Sequence, residues 1–434
     1  METKLARIAK VAEDKPKEVF TSLYHHLNKE ILLQGYNELS GNKASGIDEV
    51  TKASYEKNLE NNITSLVKKL KNHSYKPQAV RRVYIPKSDG EQLRPLGIPA
   101  FEDKVVQMGL NRILQSIYET DFLDVSYGFR PNKSCHDALK RLNHVIEKGK
   151  ISYVVDADIK GFFNNVDHGW LMEFIGHRIA DPNIKRLIKK YLKAGIMENG
   201  EWEPTSTGTP QGSVISPLLA NVYLHYVLDL WFEKLVKKSC KGQAEMVRYC
   251  DDFVCCFQYK EDACKFYKAL IKRLAKFNLQ IAENKSKIIM FGRFAEENHK
   301  KTGRGKPETF DFLGFTHYCS KGKQGQFRVK RKTSRKKYNA KVKEFTQWIK
   351  AVRNLYDIKK IFEKVRLKLL GHYRYYGVTD NSNMMCSFRH HILRILYKWL
   401  NRRSQRKSFN YDKFNLYLKL NPLPKPRIYV NIYG

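Results

Sequence analysis

Two adjacent aspartates, Asp251 and Asp252, stand between two mostly apolar runs of a kind that is typical of β-strands. The runs cover residues 246–249 and 253–257, and no Gly or Asn stands between them to form an ordinary hairpin turn. Two like charges in a half-buried turn cost several kcal/mol unless a cation neutralises them. An exposed turn that happens to hold two acids is the alternative. Because carboxylate oxygens suit Mg²⁺, the sequence predicts a divalent-metal site at this turn.

A second strand-like run, residues 153–157, is followed directly by Asp158. If the two strands are neighbours in one sheet, Asp158 meets Asp251 and Asp252 at a single point, since ligand-binding groups gather at strand ends. Three carboxylates could hold two Mg²⁺ ions, with Mn²⁺ as a substitute, and so support displacement at a phosphoryl group. We expect Asp156 to point to the opposite face of its strand, and we therefore assign the site to Asp158.

The charge of the chain indicates the kind of partner that it binds. Lys and Arg number 80 against 44 Asp and Glu, which gives a net charge of +36. A small soluble domain needs a net charge with a magnitude of only about 2–8. A long polyanion is the natural partner, because each neutralised phosphate releases counterions. Charge alone is equally compatible with an RNA-coating protein that has no catalytic activity.

Other features of the sequence exclude several classes of protein. No stretch approaches the roughly 18–20 apolar residues that span a bilayer, so we expect no membrane association. The eight cysteines form no CxxC pair, which argues against a zinc site or a disulfide framework and favours a reducing cytoplasm. Strand signals alternate with helical periodicity over about 95–318, which indicates an α/β core. Beyond about residue 320 the chain is dense in Lys and Arg, and we expect it to be helical.

An ordered series of motifs resembles those of bacterial group II intron reverse transcriptases. The motifs are Arg-Arg-Val-Tyr-Ile-Pro-Lys at 81–87, Arg-Pro-Leu-Gly-Ile-Pro at 94–99, Ser-Tyr-Gly-Phe-Arg-Pro at 126–131, the block 158–168, Gly-Thr-Pro-Gln-Gly at 208–212 with the block 216–221, Phe-Asp-Phe-Leu-Gly-Phe at 310–315 and Gly-His-Tyr-Arg-Tyr-Tyr-Gly at 371–377. A lone Tyr-x-Asp-Asp is a weak signal, whereas this series is specific and covers nearly the whole chain.

The resemblance implies an α/β (α+β) right-hand polymerase. We expect an N-terminal extension and fingers in 1–95, and a palm with interleaved fingers elements and an antiparallel catalytic sheet in 96–318. An all-helical thumb or X (maturase) domain would follow in 319–385, and a basic nucleic-acid-binding tail in 386–434. No metal-type Cys pair occurs in the last two parts, so we expect no second-strand cutting by an endonuclease of the HNH type.

The activity that the resemblance implies is that of an RNA-directed DNA polymerase, which copies RNA into cDNA and also acts as a maturase in splicing. The implied partners are the group II intron RNA, an RNA template with a DNA primer, dNTPs and a DNA target in a bacterial cytoplasm. A monomer and a homodimer are both open. Two alternatives also stay open: a domesticated reverse transcriptase of phage defence or another retroelement, and a binding-only maturase with a decayed site. Phe163 disfavours an RNA-dependent RNA polymerase.

The resemblance also assigns roles to single residues. Lys87 and Arg94 would grip the triphosphate of the incoming nucleotide. Phe163 would lie beneath its sugar, where a ring excludes a 2′-hydroxyl, and Gln211 and Gly212 would form a turn against the template–nucleotide pair. Surface charge, core packing and an ordinary loop are the respective alternatives.

The same resemblance suggests a proton donor and the nucleic-acid contacts. Lys285 is the candidate acid that protonates pyrophosphate, and Lys287 competes with it for that role. Nucleic-acid contacts are assigned to basic and aromatic side chains of the motifs and of the C-terminal region: Arg81, Arg82, Arg130, Lys330, Arg331, Lys332, Arg335, Lys336, Lys337, Tyr373, Tyr375, Arg402 and Arg403. Two residues depart from the family pattern, since Cys250 replaces the usual Ala and Asn164 replaces an Asp.

We expect template–primer affinity to fall steeply as salt rises, because a chain with a net charge of +36 releases several counterions on binding. Binding titrations from low to moderate salt would show this dependence as a steep slope of log affinity against log salt. A flat plot would show that charge is not the source of the affinity.

Overall fold

The structure is a computed structural model that describes residues 2–86, 93–303, 305–403 and 409–433. Its strands are β1 Val80–Pro86, β2 Leu93–Ile98, β3 Tyr153–Asp158, β4 Ile196–Glu198, β5 Glu201–Glu203, β6 Ala244–Tyr249, β7 Asp252–Phe257, β8 Lys287–Met290, β9 Phe310–Phe312, β10 Phe315–Lys321 and β11 Phe327–Thr333. Its α-helices are α1 Glu2–Asp14, α2 Lys29–Glu38, α3 Lys52–Glu56, α4 Leu59–Lys71, α5 Phe101–Asp121, α6 Cys135–Lys148, α7 Phe162–Asn165, α8 His168–Gly176, α9 Pro182–Leu192, α10 Ser216–Leu224, α11 Lys237–Ser239, α12 Lys260–Lys276, α13 Ala295–Lys301, α14 Arg335–Val352, α15 Ile358–Tyr376, α16 Ser382–Leu400 and α17 Tyr411–Leu420. The π-helical segments His225–Asp229 and Phe232–Val236 lie between α10 and α11.

A four-stranded antiparallel sheet in the order β6-β7-β3-β8 carries the acidic residues. Strands β3 and β7 are neighbours, as the sequence predicts, and Asp158 lies opposite Asp252 in their register. Both faces of this sheet are buried, since Val155 packs into one hydrophobic core with the N-terminal helices and Val154 packs into a second core with the C-terminal part. Burial on both faces fixes the register of β3 against β7, and with it the position of the acidic strand end.

Strands β1 and β2 pair as an antiparallel hairpin that carries basic residues. Strand β1 also pairs with the short strand β4, so that the hairpin continues into a sheet of order β2-β1-β4-β5. Arg81 donates from Nε and Nη2 to the carbonyl oxygen of Ser45, at 3.2 and 2.6 Å, which connects the hairpin to the loop before α3. Lys87, which we expect to grip the triphosphate, lies outside the described residues.

The expectation of an all-helical region from residue 319 is wrong at its start. Strands β9, β10 and β11 form a three-stranded antiparallel sheet, and helix α14 begins only after Ser334. Strand alternation on β11 buries Arg331 and exposes Lys332. Arg331 is 0% exposed and donates to the side chain of Asn143 and the carbonyl oxygen of Val329. It therefore cannot contact nucleic acid, contrary to expectation.

The expected domain boundaries fall inside regular elements. Residue 95 lies within β2, residue 318 lies within β10 and residue 385 lies within α16. Changes of composition set the expected domain limits, whereas backbone hydrogen bonding sets the ends of the strands and helices. Among the helices of the described ranges, none has both the length and the apolar character needed to cross a membrane.

Replacing Arg331 with Ala should destabilise the protein, because a large buried side chain leaves a cavity and unpaired acceptors behind. We expect a loss of roughly 2–5 kcal/mol in the free energy of unfolding. Lys332→Ala, on the exposed face of the same strand, should change it by less than about 0.5 kcal/mol. Urea unfolding of both variants and the parent measures these values, and equal effects would contradict the burial pattern of β11.

Candidate active site and adjoining cleft

The turn between β6 and β7 places Asp251 and Asp252 at one end of the sheet. Tyr249 pairs with Asp252 across the two strands, so that Cys250 and Asp251 form a two-residue loop. Cys250 has a φ of +59°, a left-handed conformation that residues other than Gly adopt only when their surroundings hold them. A Cβ atom on Gly128 would come within 2.5 Å of the Cys250 nitrogen. A second backbone segment therefore approaches the turn directly, which requires glycine at this position.

A buried arginine holds the turn from within the protein. Arg248 is 0% exposed and donates to both carboxylate oxygens of Asp229, at 2.6 and 2.5 Å, in a fully enclosed bidentate ion pair. Its remaining hydrogens reach the side chains of Asn221 and Ser126 and the carbonyl oxygen of Cys250, at 2.8 to 3.0 Å. The last of these hydrogen bonds connects the buried network to the strained residue of the turn.

The two helical partners of Arg248 lie on the helix that continues from α10. Asn221 and Asp229 are eight residues apart, and on an α-helix they would diverge by about 80°, because each residue turns by about 100°. The π-helical segment His225–Asp229 absorbs one residue and brings the two side chains within about 20° of each other, so that both face Arg248. The sequence does not identify Arg248 and Asp229 as a pair, since its only signal is a charged residue in the mostly apolar run 246–249.

The carboxyl groups of the site raise one another's pKa. Burial, followed by the charges of Asp156 and Asp251, raises the pKa of Asp252 to about 7. Burial and the charge of Asp158 raise the pKa of Asp251 above its usual range. Burial, together with Asp311 and Asp158, raises the pKa of Asp156 to about 7. Burial and mutual repulsion therefore favour the protonated, uncharged forms of these carboxyl groups.

The expectation that Asp156 faces away from the site is wrong. Residues two apart on a strand point to the same face, so Asp156 and Asp158 lie together. Asp252 shares that face, because it lies opposite Asp158 in the antiparallel register. Lys287 lies opposite Asp156 in the register of β3 and β8, and its charge counteracts part of the rise in the pKa of Asp156. Asp156 is thus a fourth carboxyl group, set back from the strand end.

The oxygen donors of this site suit a hard cation such as Mg²⁺ or Mn²⁺. The ammonium nitrogen of Lys285 lies 3.0 Å from Oδ2 of Asp158, so a cationic group already neutralises this carboxylate. Within the described ranges, no three His, Cys, Asp or Glu side chains are gathered tightly enough to hold a metal ion as they stand. A cation bound by Asp158, Asp251 and Asp252 together would therefore compete with the ion pair of Asp158 and Lys285.

A cavity of about 780 Å³ opens beside the turn. Asp251 and Asp252 line one side of it, and residues of α14, α15 and α16 line another. Its basic lining residues are Arg94, Lys337, Lys341 and Lys368. Burial and the neighbouring charge of Arg94 lower the pKa of Lys337, because strand β2 and helix α14 bring these two cations close together. A basic wall next to an acidic turn suits a phosphate backbone that passes a metal site.

The loop 208–212, which begins and ends with glycine, connects the residues that are predicted to contact the nucleotide. The carbonyl oxygen of Phe163 accepts a hydrogen bond from this loop at 2.7 Å, and the backbone nitrogen of Gly97 donates to the carbonyl oxygen of Gln211 at 2.7 Å. Gly212 has a φ of +110°, and a Cβ atom there would come within 2.9 Å of the Gly97 carbonyl oxygen. Phe163 is half-buried. The structure thus brings Phe163, Gln211 and Gly212 together with β2, the strand that also carries the exposed Arg94.

Two of the residues expected to contact nucleic acid are enclosed by protein. Arg130 forms an ion pair with Glu119 at 2.9 Å, and only 6% of its side chain is exposed. Tyr373 is 0% exposed, so the contact expected for it is wrong, because a fully buried ring cannot reach a ligand. Tyr375 is half-buried, and its hydroxyl donates to the carbonyl oxygen of Leu313 at 2.9 Å.

The other basic residues assigned to nucleic acid remain accessible. They are exposed or half-buried: Arg81, Arg82, Lys330, Lys332, Arg335, Lys336, Lys337, Arg402 and Arg403. The guanidinium carbon of Arg402 lies 5.2 Å from the ring centre of Trp399, a cation–aromatic pair on α16 and the turn that follows it. Their contact with nucleic acid stays a prediction.

Comparison with known proteins gives the following matches. Residues 85–317 match the family model described as reverse transcriptase (RNA-dependent DNA polymerase). The chain is 44% identical over 244 residues to the group II intron-encoded protein LtrA of Lactococcus lactis subsp. cremoris, across 56% of this chain and 40% of that protein. It is 39% identical over 188 residues to protein YkfC of Escherichia coli, across 43% and 49%. It is 35% identical over 209 residues to an uncharacterized 91 kDa protein in the cob intron of Schizosaccharomyces pombe, across 48% and 25%. The chain thus spans less than half the length of these relatives.

Asp252→Asn should stabilise the metal-free protein at pH 8, because it removes a carboxylate whose pKa is raised by folding. In the parent, the contribution of Asp252 to the free energy of unfolding falls as the pH rises from its unfolded-state pKa of about 3.9 towards its folded-state pKa of about 7. After allowance for solvent screening, we expect the variant to gain roughly 1–3 kcal/mol at pH 8 and nothing at pH 4. Thermal unfolding in a chelator at both pH values measures the difference.

The matched control is Asp412→Asn, which neutralises an exposed acid in the first turn of α17. It should leave the stability of the protein nearly the same at both pH values. An equal gain for Asp252→Asn at pH 4 and pH 8 would contradict an electrostatic origin.

Proposed function

Because the chain belongs to the reverse transcriptase (RNA-dependent DNA polymerase) family, we propose that it is an RNA-directed DNA polymerase, an enzyme that copies RNA into DNA. The observation that carries this proposal is the register of β3 against β7, which brings Asp158 beside Asp252 at the end of one sheet, next to Asp251. The basic side chains that line the neighbouring cavity support it further, because they offer a binding wall for a phosphate backbone.

In this proposal Asp158, Asp251 and Asp252 would hold two Mg²⁺ ions, for which Mn²⁺ could substitute. When bound, the ions supply Lewis-acid activation of the primer 3′-hydroxyl and neutralise the charge on the departing pyrophosphate. The turn keeps its shape because Arg248 holds the carbonyl oxygen of Cys250 at 3.0 Å. Release of the Lys285 ammonium group from Asp158 would leave this lysine free to protonate the pyrophosphate, with Lys287 as the competing donor.

The incoming dNTP would lie between the β1–β2 hairpin and α7. Arg94 and Lys87 would bind its triphosphate, and the ring of Phe163 would lie under its sugar and exclude a 2′-hydroxyl. Gln211 and Gly212 would support the template–nucleotide pair. The hydrogen bonds of their loop to both Phe163 and β2 favour this proposal, since they join the sugar-contacting part to the phosphate-contacting part.

The arrangement supports a right-hand polymerase. The N-terminal helices and the β1–β2 hairpin would form the fingers, and the sheet β6-β7-β3-β8 would form the palm. Helices α14–α16, which line the cavity facing the aspartates, would form the thumb. We place the limits at the ends of elements, so that the fingers extend to Ile98 and the thumb begins at Arg335, with α17 in the basic tail.

We also propose that the chain acts as a maturase on a group II intron RNA, besides using an RNA template, a DNA primer and a DNA target. The similarity to a group II intron-encoded protein supports this role. Lys332, Arg335, Lys336 and the Arg402–Trp399 pair would contact RNA through phosphates and stacking. The eight free cysteines suit a reducing compartment such as the bacterial cytoplasm.

Replacing both Asp251 and Asp252 with Ala should abolish cDNA synthesis, because the two ions can then no longer be held. The protein should still fold, since the change removes mutual repulsion, and its affinity for structured RNA should persist within a few-fold. Two assays decide this: primer extension on an RNA template with dNTPs and Mg²⁺, and equilibrium binding to a structured RNA.

The double variant Glu296→Ala/Glu297→Ala is the matched control, because it removes two adjacent acids from α13, outside the cavity. It should extend primers and bind RNA as the parent does. Primer extension by the aspartate variant would refute the assignment of the site. Loss of RNA binding in that variant would refute the separation of polymerisation from RNA recognition.

A further inference from the structure

Phe129 places an aromatic ring in solvent beside the candidate metal site. The residue is 57% exposed and lines the same cavity as Asp251 and Asp252. The centre of its ring lies 6.3 Å from that of Tyr249, at the start of the turn. Single exposed rings are common on protein surfaces, so exposure by itself does not indicate a role.

The backbone at Phe129 sets this ring apart from an ordinary exposed aromatic. Phe129 has a φ of +57°, the left-handed conformation, which is unfavourable for a bulky side chain. A Gly or Asn would relieve the strain, and the exposed position offers no buried packing that would demand a Phe. Strained residues that persist in a fold cluster at functional sites.

Neighbouring residues fix the strained segment on both sides. The side chain of Asn221 donates to the carbonyl oxygen of Gly128 at 2.7 Å and accepts from Arg248 at 3.0 Å. On the other side, Arg130 donates to two backbone carbonyl oxygens at 2.8 and 3.0 Å. The network that holds the aspartate turn therefore also holds the backbone at Phe129, which keeps a constant position relative to the aspartates.

We propose that Phe129 is a stacking platform for a nucleobase at the end of the template–primer duplex, next to the aspartates. This inference rests on the proposed polymerase function. Every base offers a flat π-face, so an exposed ring held in one position binds a nucleic-acid strand without regard to its sequence. Lys337 and Lys341, which line the same cavity, would bind the phosphates of the strand whose base lies on the ring.

The position of Phe129 favours a completed base pair over the incoming nucleotide. Arg94, assigned to the triphosphate, lines this cavity, but Phe163, Gln211 and Gly212, which are assigned to the sugar and to the template–nucleotide pair, are absent from its described lining. Residues of α14 and α15 belong to the lining instead. Phe129 thus lies on the side of the aspartates that faces these helices. A ring there would help to position the primer end beside the candidate metal site, and in-line displacement depends on that positioning.

Duplexes that carry 2-aminopurine test this placement, because stacking on an aromatic ring quenches the fluorescence of that base. The probe is placed in turn at the terminal primer base and at its template partner, and binding is followed without dNTPs. The parent should quench the probe at one of these positions, and Phe129→Trp should preserve the quenching. Phe129→Ala and Phe129→Gly should abolish it and weaken duplex binding by roughly 5- to 100-fold.

Two further variants make the test specific. Phe129→Gly removes the ring and also relieves the left-handed strain, so it should be at least as stable as Phe129→Ala. Phe294→Ala is the matched control, because Phe294 is 51% exposed and precedes α13, outside the cavity. This control should bind the duplex, quench the probe and extend primers as the parent does.

Unchanged quenching and binding in Phe129→Ala and Phe129→Gly would overturn the proposal, as would absence of quenching by the parent at both positions. Either result leaves the polymerase function standing if the parent extends primers. A parent that makes no cDNA, but whose quenching is lost with the Phe129 ring, would instead overturn the polymerase function and keep the platform.

Discussion

The enclosed ion pair between Arg248 and Asp229 is the contact on which the aspartate turn depends. Removing one partner of a buried pair typically costs about 3–5 kcal/mol, because the other charge stays buried and unpaired. Here the guanidinium group also binds the carbonyl oxygen of Cys250, so a change in the pair would be transmitted to Asp251 and Asp252. The turn is therefore not a local structure. Strand β6, the helix that continues from α10 and the loop before α6 must all come together before the aspartates reach their positions.

Electrostatics in the site oppose the stability of the ligand-free protein. Burial and neighbouring acids raise the pKa of Asp252 to about 7, and burial and Arg94 lower the pKa of Lys337 on the far side of the same cavity. The charge of Asp252 offsets only part of the fall in the pKa of Lys337, although acids and bases line one cavity. A divalent cation would relieve the acids, and a phosphate backbone would relieve the bases. The two ligands are thus complementary to each other as well as to the protein.

The convergence of Asp158 with the aspartate turn could be predicted, because apolar runs mark both strands and the charged residues at their ends must lie at the edge of the buried sheet. The position of Asp156 was also available from the two-residue period of a strand. The burial of Arg331 could not be predicted, since Lys and Arg fill four of the seven positions of β11 and the apolar residues on its inward face end at Val329. The ion pair of Arg248 with Asp229 could not be predicted either, because these residues lie on a strand and a helix that meet only through tertiary packing.

The π-helical segment His225–Asp229 makes the number of residues in its helix part of the site. One residue fewer between Asn221 and Asp229 would restore an ordinary α-helical turn without altering any catalytic motif. Asp229 and every residue beyond it would keep their alignment with Asn221, because the loss of the extra residue and the loss of the π-helical segment offset each other. An insertion, or a deletion elsewhere in the helix, would instead rotate the residues that follow by about 100° against the sheet. Such changes of length should therefore be rarer in evolution than substitutions. A sequence that retains all the motifs but carries such a change is a poor candidate for the same arrangement of the site.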